Sequence, residues 1–210
     1  MKPIKGTLKR SKCRCGGLCK VPACGSRKAE CDAARHKKDE ERVRAFVNDP
    51  KETAENLMIA DLIRANLLEF CDPSSVDVTK LFALEAYENV YSLVSTITGE
   101  IPPSVGPVEG IRRCFPPGSM TGAPKLRSVQ LLDTLETPSR RGIYSGCLGF
   151  LSLDDRSVFS VVIRTLIAHR DELSYGAGGA ITWLSDVNGE WAEVVLKAQS
   201  VLKGRIARAG

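Results

Sequence analysis

Apolar residues recur at helical spacing in three parts of the chain. Residues 49–70 predict an amphipathic helix, which Asp49 or Asn48 can cap and in which Pro50 suits the first turn. A glycine-rich turn precedes a second helix, whose predicted inner face consists of Leu126, Val129, Leu132 and Leu135. The third helix covers 190–204, and its apolar stripe consists of Trp191, Val194, Val195, Ala198, Val201 and Leu202.

Runs rich in β-branched residues predict strands elsewhere. Val90–Thr98 is the first such run, and residues 81–89 before it predict a short helical or irregular piece. Three further runs, at 142–153, 157–168 and 172–184, are separated by polar segments, which favours an antiparallel meander. This order of helices and hairpins predicts an α+β fold and argues against a doubly wound parallel sheet.

Residues 11–48 differ from the rest of the chain. They carry five of the eight cysteines and a dense run of charged residues, with few apolar ones. We interpret them as a charged insertion, in which a partly flexible loop leads into a solvated helix. The predicted organisation is therefore a short segment at 1–10, this insertion, and one main domain at 49–210.

Composition narrows the function classes. The net charge of +5 in 210 residues is modest and concentrated in the first quarter, so we expect a solvated surface and no nucleic-acid partner. No apolar run is long enough to span a membrane, and no charged start precedes an apolar segment. We therefore expect a cytoplasmic protein whose cysteines are mostly reduced.

The five clustered cysteines allow a second interpretation. Four thiolates can form a tetrahedral zinc site, but the spacings here match no ordinary pair of C-x2-C motifs. A reduced, cysteine-rich loop is the preferred interpretation, and zinc stays the alternative. The cysteines concerned are Cys13, Cys15, Cys19, Cys24 and Cys31.

Three glutamates are candidates for a divalent cation. Glu190 and Glu193 lie three residues apart at a helix start, and their carboxylate oxygens suit Mg2+. The alternative is stabilisation of the helix dipole, with Glu193 paired to Lys197. Glu55 lies on or beside the buried face of its helix and needs a partner, either a cation or an arginine such as Arg64.

Several other residues suit an anionic ligand. Arg164 lies inside an apolar predicted strand, where either a substrate carboxylate or a structural ion pair would satisfy its guanidinium. Gly178 and Gly179 end a predicted strand and suit either backbone N–H contacts to an anion or a tight bend. Thr121 and Lys125 flank a helix start that favours an anion.

The motifs together carry a resemblance that none carries alone. They are "PIKGT" (3–7), "AENLMIADLIR" (54–64), "LVSTITG" (93–99), "FPPGSMTGAPKLR" (115–127), "RRGIYSG" (140–146), "VVIRT" (161–165), "AGGAI" (177–181) and "EWAEVVLKA" (190–198). In this order they resemble the chorismate-utilising enzymes: anthranilate, aminodeoxychorismate and isochorismate synthases. The resemblance implies part of their β-sandwich of antiparallel sheets flanked by helices.

Lys5 indicates which branch of this enzyme family the chain resembles. Aminodeoxychorismate synthases carry lysine after Pro-Ile, whereas anthranilate synthases carry alanine. The resemblance makes Lys5 a nucleophile that displaces the ring hydroxyl of chorismate, after which ammonia enters and expels the lysine. The implied protein is a transaminase-type enzyme of para-aminobenzoate and folate synthesis, which receives ammonia from a glutamine amidotransferase. An attacking lysine must be neutral, so burial or a nearby cation is expected around it.

The other roles follow from the same resemblance. It assigns Mg2+ binding to the three glutamates, Glu55, Glu190 and Glu193, and assigns carboxylate binding to Tyr144 and Arg164. It gives Gly178 and Gly179 the role of backbone N–H donors. It places Thr121 and Lys125 beside the ring.

The chain also departs from the family pattern. Ser92 stands where many relatives have a histidine, Ala180 replaces a glycine, and Ala65 and Asn66 replace an expected Asn-Asp. The cysteine-rich insertion is similar to eukaryotic, fungal forms. No segment precedes "PIKGT", so we expect a fragment with exposed sheet edges. Anthranilate synthase component I and a non-catalytic, zinc-binding interaction protein stay as alternatives.

Overall fold

A computed structural model describes residues 1–11, 28–87, 90–154, 156–183 and 185–202. The chain forms two compact units, Met1–Gly106 and Pro107–Gly210. The division proposed from the motifs, at residues 10 and 48, stays a prediction.

The first unit contains three strands and two helices. They are β1 (Ile4–Lys9), α1 (Lys28–Val47), α2 (Pro50–Leu68), β2 (Asp77–Ala86) and β3 (Val90–Thr98), with a 3-10 turn at Pro73–Ser75. The strands form one antiparallel sheet in the order β1-β3-β2, and α2 packs against it. Most of β3 is buried because it is the central strand, and it meets the apolar side of α2 at Ile59, Ala60, Ile63 and Leu67.

The start of α2 follows from local sequence. The Asp49 side chain accepts hydrogen bonds from the backbone N–H groups of Lys51 and Glu52, at 2.8 and 3.2 Å, and Pro50 occupies the first turn. These contacts satisfy amides that a helix start leaves without partners. The predicted cap and the predicted helix are confirmed.

A buried polar contact joins α2 to the sheet. The Asn56 side chain is fully buried, and its Nδ2 donates to the Leu93 carbonyl at 3.1 Å. Its Oδ1 accepts from the Ser95 hydroxyl at 2.5 Å, and that hydroxyl accepts from the Phe82 N–H at 3.2 Å. One amide therefore fixes the helix to β3 and, through Ser95, to β2.

Two predictions for this unit had different outcomes. Val90–Thr98 is a strand with the predicted bounds, but residues 81–86 belong to β2, so the helical or irregular prediction for them was wrong. Pairing with β3 outweighs the helix propensity of their leucine, alanine and glutamate. The predicted charged helix of the insertion is confirmed as α1, whereas 12–27 lie outside the described residues.

The second unit contains three helices before its hairpins and one after them. The elements are α3 (Pro107–Cys114), α4 (Gly118–Thr121), α5 (Lys125–Glu136), β4 (Cys147–Leu151), β5 (Ser157–Val161), β6 (Leu166–His169), β7 (Glu172–Tyr175) and α6 (Val187–Leu202). The strands pair as two separate antiparallel hairpins, β4-β5 and β6-β7. The run predicted as one strand at 157–168 breaks after Val161, and Arg164 lies in the break with φ +53°.

The predicted inner face of α5 was wrong. Leu126 and Leu135 are 73% and 77% exposed, whereas Val129 and Leu132 are half-buried. A helix turns by about 100° per residue, so residues spaced by three move gradually around it. Leu126 and Leu135 are nine positions apart and therefore lie about 180° apart around the axis. The stripe on α6 fails similarly at Trp191, which is 68% exposed.

The fold class and the thiol state can be compared with expectation. All strand pairs of the described residues are antiparallel, and helices accompany them, so the α+β class is confirmed. In the part of the chain that the structure describes, no helix combines the length and apolarity needed to cross a membrane. Cys71, Cys114 and Cys147 are free thiols.

Replacing Asn56 tests the contact that joins helix and sheet. Asn56→Ala leaves the Leu93 carbonyl and the Ser95 hydroxyl without their buried partner, so we expect a loss of about 2 kcal/mol in unfolding free energy. Urea denaturation followed by circular dichroism measures the loss. Asn48→Ala, at the exposed end of α1, is the control, and an equal loss in both variants would contradict the assignment.

Candidate functional site

Lys5 lies in a β-bulge of β1. Ile4 pairs with Val94 and Thr7 with Ser92, so two residues on β1, Lys5 and Gly6, lie opposite one residue on β3, Leu93. Gly6 has φ +83°, which favours glycine and is typical of such bulges. The bulge therefore explains the glycine after Lys5 and sets the direction of the lysine side chain.

The lysine contacts a predicted glutamate across the sheet–helix interface. Lys5 Nζ lies 2.7 Å from Glu55 Oε2, and their side chains are 24% and 20% exposed. The partner of Glu55 is thus Lys5, whereas Arg64, the partner suggested from the sequence, pairs with Asp61 at 2.8 Å instead. The charged neighbour of Lys5 in the first unit is a carboxylate, not the expected cation. The role of Lys5 as a nucleophile stays a prediction.

Glu52 is a site residue that the sequence analysis missed. It lies one helical turn before Glu55, and a Cβ on Gly6 would come within 2.7 Å of its Oε2. Burial raises the pKa of Glu52, and the neighbouring Glu55 and Asp49 carboxylates raise it further, against a lowering by Lys5 and Lys51. Glu52 precedes Glu55 by three residues, the same spacing as between Glu190 and Glu193. This spacing was the sequence signal that could have identified Glu52.

In the second unit, Tyr144 packs against the glycine-rich segment after β7. A Cβ on Gly176 would lie 2.4 Å from the Tyr144 ring, and one on Gly178 would lie 3.1 Å from its Oη. Burial raises the pKa of Tyr144, and Tyr175 and Glu136 add to this, whereas Arg141 and Arg164 lower it. The neutral phenol is therefore a hydrogen-bond donor at physiological pH.

The predicted glutamate pair lies beside the same glycines. Glu190 Oε2 lies 3.3 Å from where a Cβ on Gly179 would be, and its Oε1 accepts from the Ser185 hydroxyl at 2.9 Å. Glu193 pairs with Lys197 at 2.7 Å, as the alternative interpretation predicted. Lys197 Nζ also donates to the Gly178 carbonyl at 3.1 Å, so it links helix and glycine segment.

The glycines themselves differ from expectation in one respect. Gly178 and Gly179 follow β7 in an irregular segment and do not end a strand. No hydrogen bond of the described residues uses the N–H of either glycine. These two N–H groups can therefore donate to a ligand. The irregular backbone of the segment agrees with the tight bend that two glycines permit.

Arg164 is the clearest correction among the candidate residues. It lies in the β5–β6 connection, is exposed, and adopts φ +53°, so it is not inside a strand. Within the described residues no carboxylate pairs with it, although it lowers the pKa of Tyr144 electrostatically. A guanidinium in a left-handed backbone conformation, without a described carboxylate and near a half-buried phenol, is a candidate for ligand binding.

Thr121 and Lys125 belong to a neighbouring part of this unit. Thr121 ends α4 and donates to the Pro117 carbonyl at 3.3 Å, and Lys125 begins α5. Arg141, which the sequence analysis missed, donates to the Met120 carbonyl at 2.8 Å and to the Ser145 hydroxyl at 3.3 Å. It therefore ties α4 to the turn that carries Tyr144.

Metal sites can be assessed only for the described residues. Among them no three His, Cys, Asp or Glu side chains lie close enough to hold a metal ion together. Cys13, Cys15, Cys19 and Cys24 lie outside the described residues, and the side chain of Cys31 is not described either. The zinc alternative therefore stays a prediction.

The family of the chain follows from its similarity to known proteins. The chorismate binding enzyme family matches residues 1–203, nearly the whole chain. The chain belongs to this family.

Two curated relatives of this chain are aminodeoxychorismate synthases by name. "Aminodeoxychorismate synthase, chloroplastic" from Arabidopsis thaliana is 51% identical over 150 residues, 71% of this chain and 16% of the relative. "Aminodeoxychorismate synthase component 1" from Klebsiella aerogenes is 37% identical over 201 residues, 96% of this chain and 40% of the relative. The chain thus spans well under half the length of either.

A solved structure of the same fold agrees with the antiparallel sheets described above. Anthranilate synthase component I from Streptococcus pneumoniae matches with a TM-score of 0.69 and 30% identity. The match covers 79% of this chain and 38% of that chain. The chain therefore has part of the anthranilate-synthase-like fold, as the resemblance implied.

Glu52→Gln tests the electrostatic strain around Lys5. The folded-state pKa of Glu52 is raised, so its stabilising contribution is present below the ordinary carboxyl pKa and is lost as pH rises through the folded value. Glutamine does not ionise. We therefore expect the unfolding free energy of Glu52→Gln, relative to the parent, to rise between about pH 4 and pH 7.

Urea denaturation at a series of pH values measures this difference. Asp61→Asn is the matched control, since Asp61 lies on the same helix and its side chain is 66% exposed. Parallel stability curves for the parent and Glu52→Gln would show that the carboxylate is not strained.

Proposed function

We propose that the chain carries the chorismate-amination part of an aminodeoxychorismate synthase. The reaction is chorismate plus ammonia to 4-amino-4-deoxychorismate, a step toward para-aminobenzoate and folate. The observation that carries the proposal is Lys5 in its glycine bulge, ion-paired to Glu55 at 2.7 Å. The names of the relatives support the same branch.

Lys5 is the proposed nucleophile. Its amine forms a bond to the ring carbon while the bond to the ring hydroxyl breaks, and the hydroxyl leaves as water after taking a proton from solvent. Ammonia then bonds to the ring and expels the amine of Lys5, and the ammonium product loses a proton. An attacking amine must be neutral and free to move, so Lys5 leaves its contact with Glu55 before it attacks.

The second unit is proposed to bind the carboxylate groups of the substrate. Arg164 supplies a guanidinium that no described carboxylate occupies, and Tyr144 supplies a neutral phenol. Gly178 and Gly179 supply backbone N–H groups without hydrogen-bond partners in the described residues. Thr121 and Lys125 are proposed to contact the ring side of the substrate.

Glu190 and Glu193 are the proposed Mg2+ ligands in this unit, and Glu55 is a separate candidate ligand in the first unit. The donor set fits a hard cation, because Mg2+ binds through one or two carboxylates plus water and substrate oxygens. When bound, the ion would neutralise a substrate carboxylate. To bind the ion, Glu193 would have to give up its ion pair with Lys197, whose ammonium lies beside its carboxylate in this structure.

The proposed source of ammonia is a glutamine amidotransferase domain or subunit. The Klebsiella relative is named component 1, a name that implies a second component. The Arabidopsis relative is named chloroplastic, so a plastid is the alternative to the cytoplasm.

Replacing Lys5 tests the nucleophile. In a mixture of chorismate, Mg2+ and ammonium, Lys5→Ala is expected to reduce aminodeoxychorismate formation by at least a hundredfold, because covalent catalysis is removed. Chromatography of the products measures it. The assay uses this chain and any longer polypeptide that contains it.

Lys2→Ala is the matched control. Lys2 also forms an ion pair, with Glu85 at 2.6 Å, but its side chain is 55% exposed and carries no proposed role. Equal activity of Lys5→Ala and Lys2→Ala would contradict the assignment of Lys5.

Anthranilate synthase is the second candidate, and the Streptococcus pneumoniae structure favours it. Product identity separates the two, since anthranilate carries its amino group ortho to the carboxylate and aminodeoxychorismate carries it para. No turnover with either product, in the chain or a longer polypeptide, would favour the non-catalytic alternative.

Lys197→Met tests the proposed metal ligands without turnover. The variant removes the ammonium that pairs with Glu193, so we expect Mg2+ to bind two- to fivefold more tightly, about the value of a partly exposed ion pair. Glu193→Gln is expected to weaken Mg2+ binding. Isothermal titration calorimetry with Mg2+ alone measures both.

Arg156→Met is the control for the loss of a positive charge. Arg156 pairs with Asp154 at 3.2 Å and is far more exposed than Lys197. If Lys197→Met and Glu193→Gln both bind Mg2+ like the parent, Glu193 is not a ligand.

A further inference from the structure

A basic cleft lies in the first unit, where β1 ends beside α1. It has a volume of about 450 Å³, and its lining residues are Lys9, Arg10, Ser11, Lys38 and Arg42. We propose that this cleft binds a small oxyanion with two or more negative charges, of the phosphate or polycarboxylate class. This volume is large enough for a small polyatomic anion.

One buried carboxylate organises the cations around the cleft. Asp39 is 2% exposed, and its Oδ1 accepts from the Ser11 N–H at 2.9 Å. Arg42 Nη1 lies 3.6 Å from that oxygen, and Arg10 Nε lies 3.9 Å from the other. Although burial would raise it, the pKa of Asp39 is lowered by Ser11, Arg10 and Arg42. Asp39 therefore stays ionised and holds both guanidinium groups in place.

The charges of the cleft are not balanced. Four lining residues are cationic, and Asp39 is the carboxylate that pairs with two of them. Lys9 and Lys38 have no ion pair in the part of the chain that the structure describes. A cleft with excess positive charge and concave walls concentrates multiply charged anions.

Arg10 is held firmly but not fully satisfied. Its Nη1 donates to the Tyr87 carbonyl at 3.1 Å, and its guanidinium lies 5.0 Å from the centre of the Tyr91 ring. Its Nε is buried, lies 3.9 Å from Asp39 Oδ2 and makes no hydrogen bond among the described residues. A guanidinium held in a fixed position is suited to an oxyanion, because charge-assisted hydrogen bonds to such groups are strong.

The Ser11 hydroxyl adds a donor to the cleft. It accepts from Arg42 Nη1 at 3.1 Å and keeps its own proton to donate. An oxyanion oxygen can accept that proton.

Calorimetric titration of the whole chain at low salt tests the proposal. The probes are pyrophosphate, orthophosphate and citrate, each up to about 1 mM. The double variant Lys9→Gln, Lys38→Gln is expected to bind the preferred probe at least tenfold more weakly, because two charge-assisted contacts are lost. These two lysines have no described partner, so the unfolding midpoint is expected to stay unchanged.

The matched control removes the same amount of charge, both positions being on α1. Lys37→Gln, Arg44→Gln changes two exposed residues of α1 outside the cleft, and we expect less than a threefold loss because exposed charges are screened. Preference for pyrophosphate or for citrate identifies the phosphate or the carboxylate source.

Three outcomes would overturn the proposal. Binding of none of the three probes excludes a site for such anions. Equal losses in the two double variants indicate general attraction by a basic surface. Much tighter binding of a short single-stranded oligonucleotide, displacing the probes, indicates a nucleic-acid surface instead. None of these results depends on whether chorismate is the substrate.

Discussion

The buried amide of Asn56 is the contact on which the first unit depends. A fully buried amide in an apolar interface is tolerated only if its donors and acceptors are used, and here they bind the backbone and side chain of β3. Because Asn56 fixes the rotation of α2, the neighbouring Glu55 faces β1, where the bulge presents Lys5. The ion pair of the candidate site is thus a consequence of a structural hydrogen bond one residue away.

Local signals in the sequence were sufficient for much of the fold. The cap at Asp49, the proline after it and the apolar period predicted α2, because all three act within one or two helical turns. The β-branched run at Val90–Thr98 predicted β3 because that strand is central and buried. The prediction for residues 81–86 was wrong because only their pairing with β3 makes them a strand.

The residues of the candidate site were proposed from the sequence, but their contacts could not be predicted from it. Lys5, Glu55, Glu190 and Glu193 were found from motifs and spacing. The partners that decide their charge state were missed or left as alternatives, because they come from other elements. Lys197 reaches the Gly178 carbonyl across nineteen residues, and Glu52 meets β1 only because Gly6 has no side chain. Arg164 was misplaced because its left-handed backbone, which breaks the strand, leaves no sequence signal.

The bulge at Lys5 and Gly6 also constrains how this motif can vary. Side chains along a strand alternate between its two faces, so one extra residue reverses the alternation for everything beyond it. A chain that lost Gly6 would keep every side chain of the motif, yet its lysine would be presented to the opposite face of the sheet. The spacing between residues is therefore as much a part of this motif as their identities are.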